Sequence, residues 1–167
     1  MIAISSIGQD SHRFLPEGDS AAQDRPLVLG GLVIEGCPPL DGNSDADVVL
    51  HALTNAISGL CGQQVLGQVA DAMCRQGIVD SRAYVSQALS FLGDIRLTHL
   101  SFSIEAKRPD LSAVIDRMRQ EIADLVKLPV SRVAITATTG EDLTSFGRGQ
   151  GISCFCVASA LLPSLSK

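Results

Sequence analysis

No stretch of this sequence approaches the length of a membrane-spanning helix, and residues 1–20 carry no basic start followed by an apolar run. Both absences argue against insertion or export, and the expectation is a soluble, cytoplasmic protein. A basic excess is also missing. Lysine and arginine total 13 against 18 acids, for a net charge of −5 and a pI near 5.0, which argues against general nucleic-acid binding. A phosphorylated small molecule is not excluded, because a local metal or arginine can offset a modest global charge. Cysteine never falls in a CxxC pair. Cys37, Cys61, Cys74, Cys154 and Cys156 are odd in number and scattered, so free thiols are expected rather than a disulfide framework. Internal repeats, low-complexity tracts and a dividing linker are absent too. What remains is ordinary globular composition, 46% apolar and 19% charged over 167 residues, expected to form one domain over 1–167.

The order of segments predicts an α+β fold. Ile2-Ala3-Ile4 opens a strand, and residues 15–26 are a polar surface loop. LVLGGLVIEG at 27–36 has two β-prone runs around Gly30-Gly31, a hairpin signature. Ser44, Asp45 and Asp47 supply helix-start chemistry for a helix from Ala46 to Leu60. A short helix over 63–76, weakened by Gly67, precedes one opened by Asp80-Ser81 and stopped by Gly93. Strands are expected at 95–106, 132–138 and 151–161, with a helix over 109–127 starting at Pro109. Cys154 and Cys156 alternate in the last strand and read as small core residues rather than metal ligands. The sum is a mixed β-sheet with helices on one face.

Two stretches carry chemistry. In GQDSHRF, residues 8–14, Asp10 and His12 stand two apart in a strand, so both project to the same face. A carboxylate and an imidazole at that spacing suit zinc, which takes three protein ligands in catalytic sites. With three histidines in the chain, the third ligand is His51 or His99; the bland reading of the pair is a surface ion pair. In TATTGEDLTSFGRGQG, residues 136–151, hydroxyls, exposed N–H groups and Arg148 suit phosphate oxygens. Glu141 fits there if it holds a divalent cation; the plain alternative is a flexible loop. EAKRPDLS at 105–112 is a third candidate anion edge, or an ordinary connection between strand and helix.

Taken together, IGQDSHRF, LVLGG, SDADVVLHALTNAISG, DSR, AKRPDLS and TATTGEDLTSFGRGQGI resemble, in order, the 2-C-methyl-D-erythritol 2,4-cyclodiphosphate synthase family over nearly the whole chain. The resemblance implies a homotrimer with active sites between subunits. It implies Zn2+ on Asp10, His12 and His51, and Mg2+ or Mn2+ on Glu141 together with substrate phosphates. The implied reaction cyclises a cytidine diphosphate ester of methylerythritol 2-phosphate and expels CMP. Glu141 and Thr139 then stand at the reacting phosphates, while Ala106, Lys107, Arg108, Pro109 and Leu111 with Ala137, Thr138 and Thr139 form the cytidine pocket. Arg148 matches an arginine near the threefold axis.

Several positions depart from the family pattern. A substrate-contacting histidine is replaced by Asn43, which stands next to Ser44, and the following glycine is Ala46. The aspartate four residues past the helix histidine is Asn55. The segment that binds the diol is replaced by residues 62–77, where Gln68 best matches its aspartate and Asp71 is the only acid. The family's lysine after Pro109 is Asp110, and an acid is replaced by Gln150. An active synthase, a phosphorus–oxygen lyase of the non-mevalonate isoprenoid route, is the first reading. A catalytically impaired zinc-binding trimer that serves as a scaffold or binds an isoprenoid diphosphate is the second. A metal-dependent enzyme acting on a related nucleotide diphosphate is the third.

Overall fold

The structure, a computed structural model, describes residues 1–22 and 25–164. Four strands form a mixed sheet in the order β1 (Ile2–Arg13), β6 (Gly151–Leu162), β4 (Arg96–Glu105), β5 (Val133–Thr138). The β1–β6 and β6–β4 pairs are antiparallel and β4–β5 is parallel. A separate hairpin, β2 (Leu27–Leu29) and β3 (Leu32–Ile34), turns at Gly30-Gly31. Both glycines have positive φ, 57° and 82°, as a two-residue hairpin turn requires.

The helices are α1 (Val48–Cys61), α2 (Gln68–Arg75), α3 (Ser81–Ser90) and α4 (Ile115–Val126). Helix α1 lies across β1 and β6, and α4 packs on β5. Leu100, Phe102 and Ile104 of β4 meet Ile152, Cys154, Cys156 and Ala158 of β6 on the buried face. The two cysteines are core residues, as expected, and burial pushes both thiols up. On the opposite face Ile7, Phe155 and Val157 stay 65%, 42% and 40% exposed. Among the described residues no helix is long and apolar enough to cross a membrane.

Three helix starts fall later than the sequence predicts. Ala46 has φ 54°, outside helical space, so α1 begins after Asp47. The Asp47 carboxylate caps it through the N–H groups of Val49 and Leu50, at 3.1 and 3.0 Å. The same carboxylate accepts from Gly30 and Gly31, at 2.9 and 2.7 Å, tying the hairpin to α1. Gly67, with φ 109°, delays α2 to Gln68. Helix α4 begins at Ile115 rather than Pro109, because Asp110 takes the Ser112 N–H at 2.9 Å in a local turn that competes with helix.

Candidate functional site

The site begins with a missing side chain. A Cβ on Gly8 would lie 2.1 Å from the Ala52 carbonyl oxygen and 2.3 Å from the Ala56 nitrogen. Strand and helix backbones therefore touch at residue 8. The Ser6 hydroxyl donates to the Ala56 carbonyl, and the Asn55 amide donates to the Gln9 carbonyl at 3.0 Å. This close approach brings His51, one residue before Ala52, against Asp10 two residues further along β1.

Asp10 Oδ2 lies 2.8 Å from His51 Nδ1 and 2.9 Å from His12 Nε2, and those two nitrogens are 3.4 Å apart. One ligand atom from each residue converges on a single point, all within 4.8 Å of one another. His12 donates through Nδ1 to the Asp41 carbonyl at 2.6 Å, which turns Nε2 inward. Burial works to raise the Asp10 pKa, but hydrogen bonds and charge from His12 and His51 outweigh it and hold the carboxyl down at about 2. Burial works to lower the His12 pKa, and Asp10 with the Asp41 carbonyl overcomes it and raises the value above 6.5. One carboxylate and two imidazoles with converging lone pairs are the donor set of a three-ligand zinc site with an open position. Of the two candidate third ligands His51 joins the cluster. His99 sits in β4 opposite Ser159 and is outside it.

A cavity of 230 Å³ opens beside the three ligands, and Asn43, Ser44, Asp71, Cys74 and Tyr84 help to line it. In the 62–77 segment Asp71, in the first turn of α2, faces the cavity, and Gln68 is not among its lining residues. The buried Tyr84 hydroxyl lies 2.8 Å from Cys74 Sγ and donates to the Ile78 carbonyl at 2.9 Å.

A second cavity, 280 Å³, lies beyond the ends of the parallel pair β4–β5 and is lined by Ala106, Lys107, Pro109, Leu111, Ala137, Thr138 and Thr139. Strands that run parallel finish side by side, here at Glu105 opposite Thr138, leaving a crevice past their carboxyl ends. Arg108 is not part of it. Its guanidinium sits 5.0 Å from the Phe14 ring centre and lines a separate cavity of 640 Å³ with Ser145 and Phe146. Arg148 is exposed, and its Nη1 donates to the Asp142 and Leu143 carbonyls at 3.3 Å each.

Glu141 is exposed at the tip of this region, outside the cavity that holds the three ligands. Gly140, Glu141 and Asp142 have successive positive φ values of 74°, 48° and 59°. Left-handed backbone costs roughly 1–2 kcal/mol at a non-glycine residue, and such strain concentrates at functional sites. The Thr139 hydroxyl donates to Glu141 Oε1 at 3.4 Å, and Lys107 Nζ pairs with Asp142 Oδ1 at 2.7 Å. Within one chain, then, the ligand cluster and the threonine–glutamate loop face different cavities.

Sequence reasoning missed Gly8, the Asp41 carbonyl behind His12, and the pairing of Asp45 with Ser81. Ser44 and Asp45 read as helix caps, yet Asp45 accepts from the Ser81 N–H at 3.0 Å across the fold. The repeated Asp–Ser signature at 80–81 gave no hint of a long-range partner. The glycine in GQDSHRF was a usable signal, since a glycine inside a strand marks a close backbone approach.

A mixed sheet with a carboxylate–imidazole cluster at one end of β1 and a threonine-lined crevice beyond two parallel strands defines an α+β protein with three side chains that could hold a metal ion. Comparison with known proteins narrows this. The YgbB family pattern matches residues 4–161. A 2-C-methyl-D-erythritol 2,4-cyclodiphosphate synthase of Chlamydia trachomatis serovar L2b is 43% identical over 157 residues, 93% of this chain and 86% of that one. Among solved structures, a CDP-bound 2C-methyl-D-erythritol-2,4-cyclodiphosphate synthase superposes with TM-score 0.81 at 25% identity, over 95% of this chain and 100% of the other. The bifunctional IspDF of Campylobacter jejuni superposes with TM-score 0.84 at 27% identity over 95% of this chain, which spans 42% of that longer protein. The chain belongs to the YgbB family.

Proposed function

We propose that this chain cyclises 4-diphosphocytidyl-2-C-methyl-D-erythritol 2-phosphate to 2-C-methyl-D-erythritol 2,4-cyclodiphosphate with release of CMP, the phosphorus–oxygen lyase step of the non-mevalonate isoprenoid route. The observation that carries the reading is the convergence of Asp10, His12 and His51 on one point, in a chain 43% identical to a protein of that name. An oxygen of the substrate's 2-phosphate bonds to the β-phosphorus. The bond from that phosphorus to the CMP oxygen breaks, and its electron pair leaves with CMP. A phosphate monoester is already largely ionised at neutral pH, so no serine–histidine pair is needed to make the nucleophile. The obstacle is repulsion between anions and poor alignment.

In this reading Asp10, His12 and His51 hold Zn2+, and Glu141 with the substrate phosphates holds Mg2+ or Mn2+. Such cations, when bound, neutralise phosphate charge and keep the attacking and leaving oxygens in line. Ala106, Pro109, Leu111 and Ala137 take the cytosine, Lys107 offsets phosphate charge, and Thr138 and Thr139 donate hydroxyls to phosphate oxygens. Asn43 and Ser44 meet the 2-phosphate end. Asp71, rather than Gln68, accepts from the diol hydroxyls, because it faces the cavity of the three ligands. The CDP named for one structural relative supports a nucleotide ligand.

The two cavities serve one reaction if different chains supply them. The exposed apolar face at Ile7, Phe155 and Val157 supports a homotrimer in which sheets meet around an axis, with the cluster of one chain facing the threonine loop of the next. Free cysteines throughout fit a reducing, cytoplasmic setting. An impaired zinc-binding scaffold is the weaker reading, since a scaffold has no use for a second cation site at a strained Glu141. The test is CMP release from the cytidine diphosphate substrate, followed by 31P NMR with zinc and magnesium supplied. Stoichiometric CMP and cyclic diphosphate are expected; absence of CMP overturns the proposal.

A further inference from the structure

The two histidines of the cluster are held by unlike means. His12 is fixed by a backbone carbonyl, which no side-chain substitution removes. His51 is held from behind by side chains of two other elements. Its Nε2 lies 2.9 Å from the hydroxyl of Ser81, the first residue of α3, and 3.3 Å from the hydroxyl of Ser44. The Ser81 hydroxyl also bonds Asp45 Oδ1. Asp45 is itself fixed: Oδ2 accepts the Ser81 N–H at 3.0 Å and Oδ1 accepts the Asp47 N–H at 3.1 Å. Ser81 and His51 are both buried.

Counting hydrogens orders this chain of contacts. A serine hydroxyl has one hydrogen, and a carboxylate only accepts. The Ser81 hydrogen therefore goes to Asp45, and the serine lone pair is what meets His51. That contact is a hydrogen bond only when the imidazole donates from Nε2. With a cation bound, Nδ1 then offers its lone pair beside Asp10 and His12, the form of imidazole a metal takes; without one, the 2.8 Å contact to Asp10 Oδ2 is a hydrogen bond only when Nδ1 also carries a hydrogen. Ser44 is farther away and its hydrogen is not committed to a carboxylate, so it imposes no such direction.

We propose that Asp45 and Ser81 are positioning residues that keep the His51 hydrogen on Nε2 and present Nδ1 to a divalent cation; this rests on reading Asp10, His12 and His51 as a cation site. The relay makes cation affinity depend on α3 docking against the loop before α1, two elements that do not themselves touch the ion.

The test uses the full-length protein, stripped with a chelator and titrated with zinc alone against a chromophoric competitor. Ser81→Ala is expected to weaken zinc binding by about 10–100-fold, the range for loss of an outer partner of a metal-bound histidine. Ser81→Thr keeps the hydroxyl and restores most of the affinity, and Ser44→Ala shifts it less than Ser81→Ala. Asp45→Asn turns one acceptor into a donor, frees the Ser81 hydrogen to turn toward His51, and weakens zinc as Ser81→Ala does. Cobalt(II) d–d absorption bands are expected to shift in Ser81→Ala and not in Ser81→Thr. Wild-type affinity and an unchanged cobalt spectrum in Ser81→Ala would overturn the relay while leaving the cation site standing. A wild-type protein that binds no zinc sinks both. Should the variants fail to fold, the zinc-loaded wild type labelled with 15N-histidine still decides: a slowly exchanging His51 Nε2–H is expected, and one exchanging as freely as an exposed imidazole refutes the relay.

Discussion

The two ends of the molecule are finished to different degrees. Around Asp10, His12 and His51 the ligand atoms already converge, and partners from the same chain fix them from behind. Around Thr138, Thr139 and Glu141 the side chains are exposed, and the loop is held from the end of β4 and the turn after it, by Glu105 to Thr144 and Lys107 to Asp142, and by Arg148 to two of its own carbonyls. The first end is a site that one chain completes. The second is exposed surface. That contrast is what the proposed sharing of one active site between subunits predicts for a single chain.

Substitutions at the two ends are expected to fail in different ways. His51→Ala removes one of three ligands, so bound zinc measured by elemental analysis should vanish and turnover should fall below detection; zinc content equal to wild type would refute the ligand assignment. Glu141→Gln keeps the exposed loop and all three zinc donors. It should retain zinc while turnover drops about 10²–10³-fold, the scale for losing one group that stabilises transition-state charge. A Glu141→Gln protein that loses zinc would erase the distinction between the ends. Gly8→Ala forces a methyl into the Ala52 carbonyl and should cost about 3 kcal/mol by urea unfolding, the upper range for overpacking, with zinc affinity falling as His51 is pushed away. The same change at exposed Gly62 near the α1 end has open space and bears only on its left-handed φ.

Acidity probes the ligand cluster by itself. The raised His12 pKa means the folded metal-free protein holds that proton more tightly than the unfolded chain. Its contribution to stability is full below 6.5 and is lost as pH rises through the raised value. The lowered Asp10 pKa contributes above 3.8 and is lost as pH falls toward 2. The metal-free melting temperature should therefore decline as pH rises above 6.5. The zinc-loaded protein should show the opposite slope, because zinc displaces the proton. Parallel slopes with and without zinc would show that the imidazole does not exchange its proton for the ion.

Much of this was legible in the sequence, for reasons that differ by residue. The strands and the hairpin follow from alternation and from Gly30-Gly31, and period 2 placed Asp10 and His12 together. Ala106, Lys107, Pro109, Leu111, Ala137, Thr138 and Thr139 share one crevice, since parallel strand ends carry their following residues to a fixed edge. Helix starts were misjudged because side-chain bonds decided them: Asp47 against a left-handed Ala46, and Asp110 against Pro109. Arg108 lines a different cavity because its long side chain lies over its aromatic partner, Phe14. The choice of His51 over His99 needed the contact at Gly8, and the Asp45–Ser81 pair needed the docking of α3; both are tertiary facts without a local signature.

The most direct test of a site shared between chains is complementation. His51→Ala protein offers an intact threonine–glutamate loop, and Glu141→Gln protein offers an intact ligand cluster. Each is expected to be inactive or nearly so alone. Coassembled in equal amounts into trimers at random, they should regain about a quarter of the wild-type sites, one working site in every mixed trimer. CMP release that stays at the level of the two parents, in samples shown by native mass spectrometry to contain mixed trimers, would contradict it.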